Sequence, residues 1–287
     1  MFPENFTFSI RNPINTAIDW LITNFGDTFD AVVHNVLAVF VPIEQALRHT
    51  PWWIIVLLVL GLSYHASRNW RLSAMLGALM MLIGVLGLWD MAMQSLALML
   101  VSTVISVTIG IPIGIAMAAH DRLRAAVLPI LDMMQTMPSF VYLIPALMLF
   151  GLGIVPAILA TFIYAVPPVI RLTDLGIRLV DHETVEAARA FGANRRQILF
   201  GVQLPLAIPN IMAGVNQTTM MALSMVVIAS MIGVRGLGQE VLLGIQRLDV
   251  GRGASAGIAI VALAVVLDRI TQAYGKRAQA YKQKGHG

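Results

Sequence analysis

Long runs almost free of charge dominate this chain, at residues 52–66, 72–89, 91–119, 127–150, 154–172, 206–233 and 254–270. Several reach the roughly 18 residues at which a helix can cross a bilayer with every backbone amide and carbonyl bonded inside the segment. Hydrophobic residues are 58% of the 287 and charged residues only 12%, against roughly 25% charge in an ordinary soluble domain. The pattern predicts an all-α polytopic membrane protein with seven crossings. Zero cysteines exclude disulfides, thiolate metal sites and cysteine nucleophiles. The amino-terminal MFPENFTFSI has no basic region ahead of an apolar one and does not read as a cleaved signal peptide.

Sidedness follows from the basic residues. Fourteen of the 19 fall on one side of the seven-span arrangement, leaving Arg11, Arg48, Arg235, Arg247 and Arg252 on the other. The positive-inside tendency then puts the amino terminus outside and the carboxyl terminus, with its basic residues at 274–287, in the cytoplasm. Residues 1–50 read as an extracytoplasmic leader. Within it the apolar stretch 31–43 is short and interrupted by His34 and Asn35, which suggests an interfacial amphipathic helix. Trp52, Trp53, Trp70 and Trp89 stand at span ends, where indoles meet both lipid and headgroup. Cytoplasmic loops account for the positive net charge of +4, so no nucleic acid is implied.

One polar island, EAARAFGANRRQILFGVQLP at 186–205, interrupts the apolar spans on the cytoplasmic side. Asp181 can cap a helix whose apolar face uses Val185, Ala188 and Phe191, and Gly192 supplies a left-handed stop. Asn194 with Gln197 three residues on is a second capping signature, for a helix carrying Ile198, Leu199 and Val202 up to Leu204 and Pro205. The island therefore predicts two short helices at about 181–205. By physics alone they are either a solvated hairpin or a docking surface.

The spacing Glu186-Ala187-Ala188, Gly192, Val202, Leu204-Pro205 resembles the signature of permease subunits of binding-protein-dependent ABC importers. It departs only in Val202, where that family more often has isoleucine. The strings LDMMQTMPSFVYLIPALMLFG (131–151), AVPPVIRLTDLGI (165–177) and PNIMAGVNQTTMMALSMVVIASMIGVRGLGQEVL (209–242) are similar to permeases for glycine betaine, proline betaine and choline. The resemblance implies a five-helix type I importer core at 90–273, preceded by two accessory helices at 51–89. It also implies a homodimer, cytosolic ATPase subunits that bind and use ATP, and an extracytoplasmic substrate-binding protein. On that reading Glu186, Ala187, Ala188, Gly192, Val202, Leu204 and Pro205 couple the chain to the ATPase.

The chain has no GxxxxGK[S/T] loop, and no serine, histidine and acid set, so no catalytic role or bound cofactor is expected. His65, His120 and His182 lack metal-ligand spacing. Polar groups within spans are expensive against lipid and face a cavity or another helix. Asn216, Gln217, Thr218 and Thr219 form one such set and Gln135 and Thr136, beside Asp132, a second; each either lines a pathway or bonds neighbouring helices. Phe140 and Tyr142 could present aromatic faces to a quaternary ammonium or simply pack. Gly110 and Gly114 make a small-xxx-small face around Pro112, and 234–253 reads as a short outer helix flanked by glycine. An ion-gradient-driven transporter or channel, or a membrane assembly subunit, would share the mid-span polar residues and is the alternative to test against.

Overall fold

The computed structural model describes residues 11–283, with side chains through 277. The leader residues 1–10 and the tail residues 284–287 lie outside the described residues, as do the side chains of 278–283. Among the described residues no strand occurs. The helices are α1 (Arg11–His49), α2 (Trp52–Ser67), α3 (Trp70–Val85), α4 (Trp89–Ala119), α5 (Asp121–Thr136), α6 (Leu143–Phe150), α7 (Ile154–Arg178), α8 (His182–Ala190), α9 (Arg195–Ile198), α10 (Leu204–Ala229), α11 (Leu237–Gln246) and α12 (Val250–Gln283). Five helical runs are long and apolar enough to cross a membrane, and the bent pair α5–α6 would make a sixth.

Three expectations change. The run 127–150 is not one straight crossing: α5 and the segment Ser139–Phe150 meet at 111°. Pro138 is the cause, since it lacks an N–H and pushes Met137 out of the helical region, to φ −71°, ψ 135°. The runs 52–66 and 72–89 become helices of 16 residues each, about 24 Å long at 1.5 Å per residue and shorter than a hydrocarbon core of roughly 30 Å. Residues 31–43 belong to a 39-residue helix, α1, kinked at Phe25.

Helices α4 and α7 form the centre and run parallel, because Ser102 Oγ meets the Ile158 carbonyl and Ser106 Oγ that of Phe162. Their closeness depends on Gly114, where a β-carbon would come within 2.6 Å of the Ile170 carbonyl oxygen. The predicted small-residue face thus seals a helix pair, with Gly110 against Val166 and Val169. α10 returns antiparallel along α7, and α12 packs antiparallel on α10 where Gly275 meets Met212 and Asn216 meets Asp268. This arrangement gives the bundle a hairpin end, marked by Ala119 and Arg178, and a far end, marked by Trp89.

At the far end, Leu237 N–H donates to Ser95 Oγ at 2.8 Å, and Arg252 grips Glu240 with two bonds of 2.6 and 3.1 Å, fixing α11 over α4 and α12. α1 is anchored at the same end. Phe29 meets Phe150 edge-on, Phe40 is buried, and Arg48 forks onto Asp90 at 2.7 and 3.2 Å. Thr23 and Asn24 bond back to their own helix, donating to the carbonyls of Asp19 and Trp20, so these two polar residues do not end it.

Candidate functional site

Local chemistry builds the hairpin between α7 and α10 much as the sequence predicts. Asp181 caps α8 by accepting from Glu183 N–H and Thr184 Oγ1. Gly192 has φ +83° with open space around its α-carbon, so the stop needs glycine for its backbone and not for room. Asn194 and Gln197 form a reciprocal capping box at 2.8 and 2.9 Å. The second helix differs from expectation: α9 has four residues and passes through a wide π-type turn, Leu199–Gln203, directly into α10. That turn accommodates Pro205, whose ring would otherwise meet the Gly201 carbonyl.

Val185 and Ile198 are buried and seat the hairpin on the bundle, while Ala188, Val202 and Leu204 are half-buried. Glu186, Ala187 and Pro205 are exposed. Phe191 does not join the Val185 face; it is 93% exposed. Six residues at 100° each place it about 240° around the helix from Val185. Phe191, Phe200 and Leu179 are exposed apolar groups on the same stretch of chain as the exposed Arg189, Arg195 and Arg196. A cleft of about 470 Å³ between the end of α4 and the hairpin is lined by Ala118, His120, Val185, Arg189, Arg195 and Leu199, among others. Glu186 lies 3.5 Å from His182 Nδ1 on the solvent side of α8.

A buried ion network, which the sequence reading missed, holds the root of this hairpin. Asp174, 2% exposed, accepts from Arg124 Nε and Arg178 Nε, both at 2.9 Å. Arg178 also donates to the Met117 carbonyl at 2.9 Å and pairs with Asp121 at 2.7 Å. Through Arg124 and Arg178 this one carboxylate therefore ties α4, α5 and α7 together, eight residues before α8 begins. The available signal was an acid four residues before an arginine on one helix face, just past an apolar run.

The mid-span residues separate into two groups. Asn216 donates to Asp268 at 3.0 Å and accepts from Thr271, so it bridges α10 to α12. Thr219 is buried and bonds the Val215 carbonyl at 2.8 Å, while the buried Thr218 hydroxyl has no partner. Tyr142 is buried, donating to the Met134 carbonyl with its ring 5.9 Å from that of Tyr164. These four are packed within the chain. Gln217, Gln135, Thr136 and Phe140 instead face outward, Phe140 with 51% exposure. Asp132 pairs with Arg171. Among the described residues no group of three or more metal-ligating side chains occurs.

A family described as "Binding-protein-dependent transport system inner membrane component" matches residues 110–279. The chain is 47% identical over 267 residues to the glycine betaine/proline betaine transport system permease protein ProW of Escherichia coli (strain K12), covering 93% of this chain and 75% of that protein. It is 46% identical to the glycine betaine transport system permease protein OpuAB of Bacillus subtilis (strain 168), covering 90% and 92%. It is 45% identical to the glycine betaine/carnitine transport permease protein GbuB of Listeria monocytogenes, covering 97% and 99%. An inward-facing MetNI methionine ABC transporter structure aligns with TM-score 0.57 and 25% identity over 67% of this chain and 95% of that one.

Proposed function

Because the chain belongs to the family of binding-protein-dependent transport system inner membrane components, and is thus a multi-pass inner-membrane permease subunit of an ABC importer, we propose that its cargo is glycine betaine or a related quaternary ammonium solute. All three of these relatives carry glycine betaine in their names, with proline betaine beside it in ProW and carnitine in GbuB; choline is the further candidate from the sequence.

The observation that carries the coupling half of the proposal is the hairpin itself. Glu186 and Ala187 are presented to solvent on a helix stopped by Gly192, and its root is clamped through Asp174. A cytosolic ATPase subunit docks there, with Phe191 and the three arginines offering apolar and charged contacts. ATP binds and is hydrolysed in that partner; this chain binds no cofactor and no metal. Closure of the ATPase pair pushes on α8 and α9, and the π turn passes the displacement into α10 without a flexible joint. An extracytoplasmic binding protein delivers the solute at the far end, the side that the positive-inside tendency of the basic residues supports as outside. Two copies of this chain enclose the pathway, because Gln135, Thr136, Phe140 and Gln217 present polar and aromatic groups on faces that one copy leaves open.

The test is uptake of labelled glycine betaine and choline into vesicles holding this chain, with ATPase and binding-protein partners added or withheld. Uptake requiring ATP and both partners is expected. Uptake by the chain alone, driven by an ion gradient, would refute the proposal. The double substitution of Glu186→Gln with Gly192→Ala is expected to abolish coupled uptake with insertion intact, since alanine at φ +83° costs about 1–2 kcal/mol in backbone strain. Full uptake by that variant would remove the hairpin from the mechanism.

A further inference from the structure

At the hairpin end, the α2–α3 turn and residues 269–277 of α12 enclose an open cavity of about 410 Å³. Its lining includes Ser67, Arg68, Asn69, Arg269, Lys276 and Arg277. Four cations thus surround one concavity. Among the described residues Arg68 and Lys276 have no carboxylate within 4 Å, and Arg269 reaches only Asp268, at 4.0 Å. Arg277 donates to the His65 carbonyl at 2.6 Å, fastening α12 to α2 and forming one wall. Asn69 Oδ1 already accepts from Arg71 and Leu72 N–H, so the α3 terminus is capped and the cations are left as the binding groups.

Two further observations specify a ligand. Arg68 closes α2 with φ +54°, a conformation that glycine or asparagine adopts with less strain, yet the position carries a cation facing the cavity. Trp70, 68% exposed under the Arg71 guanidinium at 5.9 Å, marks the depth of the membrane interface beside the cavity. One and two turns above the cavity-lining Ala66, Leu62 and Leu58 are exposed and offer an apolar track for an acyl chain. Basic pockets between helix ends at this depth suit anionic headgroups.

We propose that this cavity binds the phosphate of an anionic phospholipid headgroup from the hairpin-side leaflet. Free phosphate shares the chemistry, and the experiment separates the two. The full chain in neutral detergent is titrated with phosphatidylglycerol, phosphatidylcholine and inorganic phosphate, with bound species counted by native mass spectrometry. Phosphatidylglycerol is expected to be retained over phosphatidylcholine, and the double variant Arg68→Asn with Lys276→Gln to bind it about 30-fold more weakly. Arg122→Gln, which removes an exposed cation outside the cavity, is expected to bind as the unaltered chain does. Lys276→Arg, which keeps the charge, should retain the lipid and separates lost binding from lost folding. Equal retention by the double variant, or an equal loss in Arg122→Gln, overturns the site. Displacement of the lipid by millimolar inorganic phosphate overturns the lipid as occupant in favour of the soluble anion.

Discussion

Replacing Asp174 by asparagine isolates what the buried carboxylate contributes. Shape is kept, and one oxygen can still accept from Arg124 or Arg178, but the other arginine then faces an NH2 group, donor against donor. A hydrogen bond to a charged group is worth about 1.5–3 kcal/mol, and breaking a sealed ion pair costs about 3–5 kcal/mol. Asp174 is sealed, at 3% side-chain exposure, whereas Arg124 and Arg178 are 39% and 31% exposed, so water takes up part of their loss. The expected destabilisation is therefore about 2 kcal/mol, a roughly 30-fold rise in the unfolded-to-folded ratio on denaturant titration of the detergent-solubilised chain. Repeating the change in an Arg124→Gln background should shrink the cost by about 1 kcal/mol, since the two residues share a bond. Uptake should fall further than stability, because Arg178 also holds the Met117 carbonyl where the hairpin leaves the bundle. A loss under 0.5 kcal/mol on the order-of-magnitude scale above, with uptake unchanged and no coupling between the two sites, would refute the network as the root of the hairpin.

Two more outcomes follow from the packing. Gly114→Ala should destabilise the chain by about 2–3 kcal/mol, because the new methyl meets a backbone carbonyl that cannot move aside. Gly257→Ala, with nothing within 4 Å of the added carbon, should stabilise it slightly, and equal effects in thermal denaturation would contradict the close approach of α4 and α7. Asn216→Ala should cost about 1 kcal/mol of stability through the lost α10–α12 bridge and leave the concentration dependence of uptake unchanged. Gln217→Ala should do the reverse, and uptake kinetics with denaturation of both variants checks the assignment.

What was legible in the sequence is what the chain settles over one helical turn. Asp181, the Asn194–Gln197 box and Gly192 each act on their own neighbours, so residue identity and spacing were enough. Gly110 and Gly114 were also readable, since four residues of separation puts both on one face. Direction was not readable, because apolarity is a scalar: the run 127–150 has one hydropathy whether Pro138 bends it or not. Burial of charge hid for a related reason. Asp174 stands just past the apolar stretch and looks like loop chemistry until α7 is seen to continue to Arg178, six residues beyond the end of the apolar run. The same continuation supports the lever role proposed for the hairpin. α7 enters it stiff and clamped, and α9 leaves it without a break through the π turn. On the proposed coupling, force applied to α8 crosses the Gly192 turn into α9, and from α9 onward the chain is continuous helix into α10, which is bonded to α12 through Asn216.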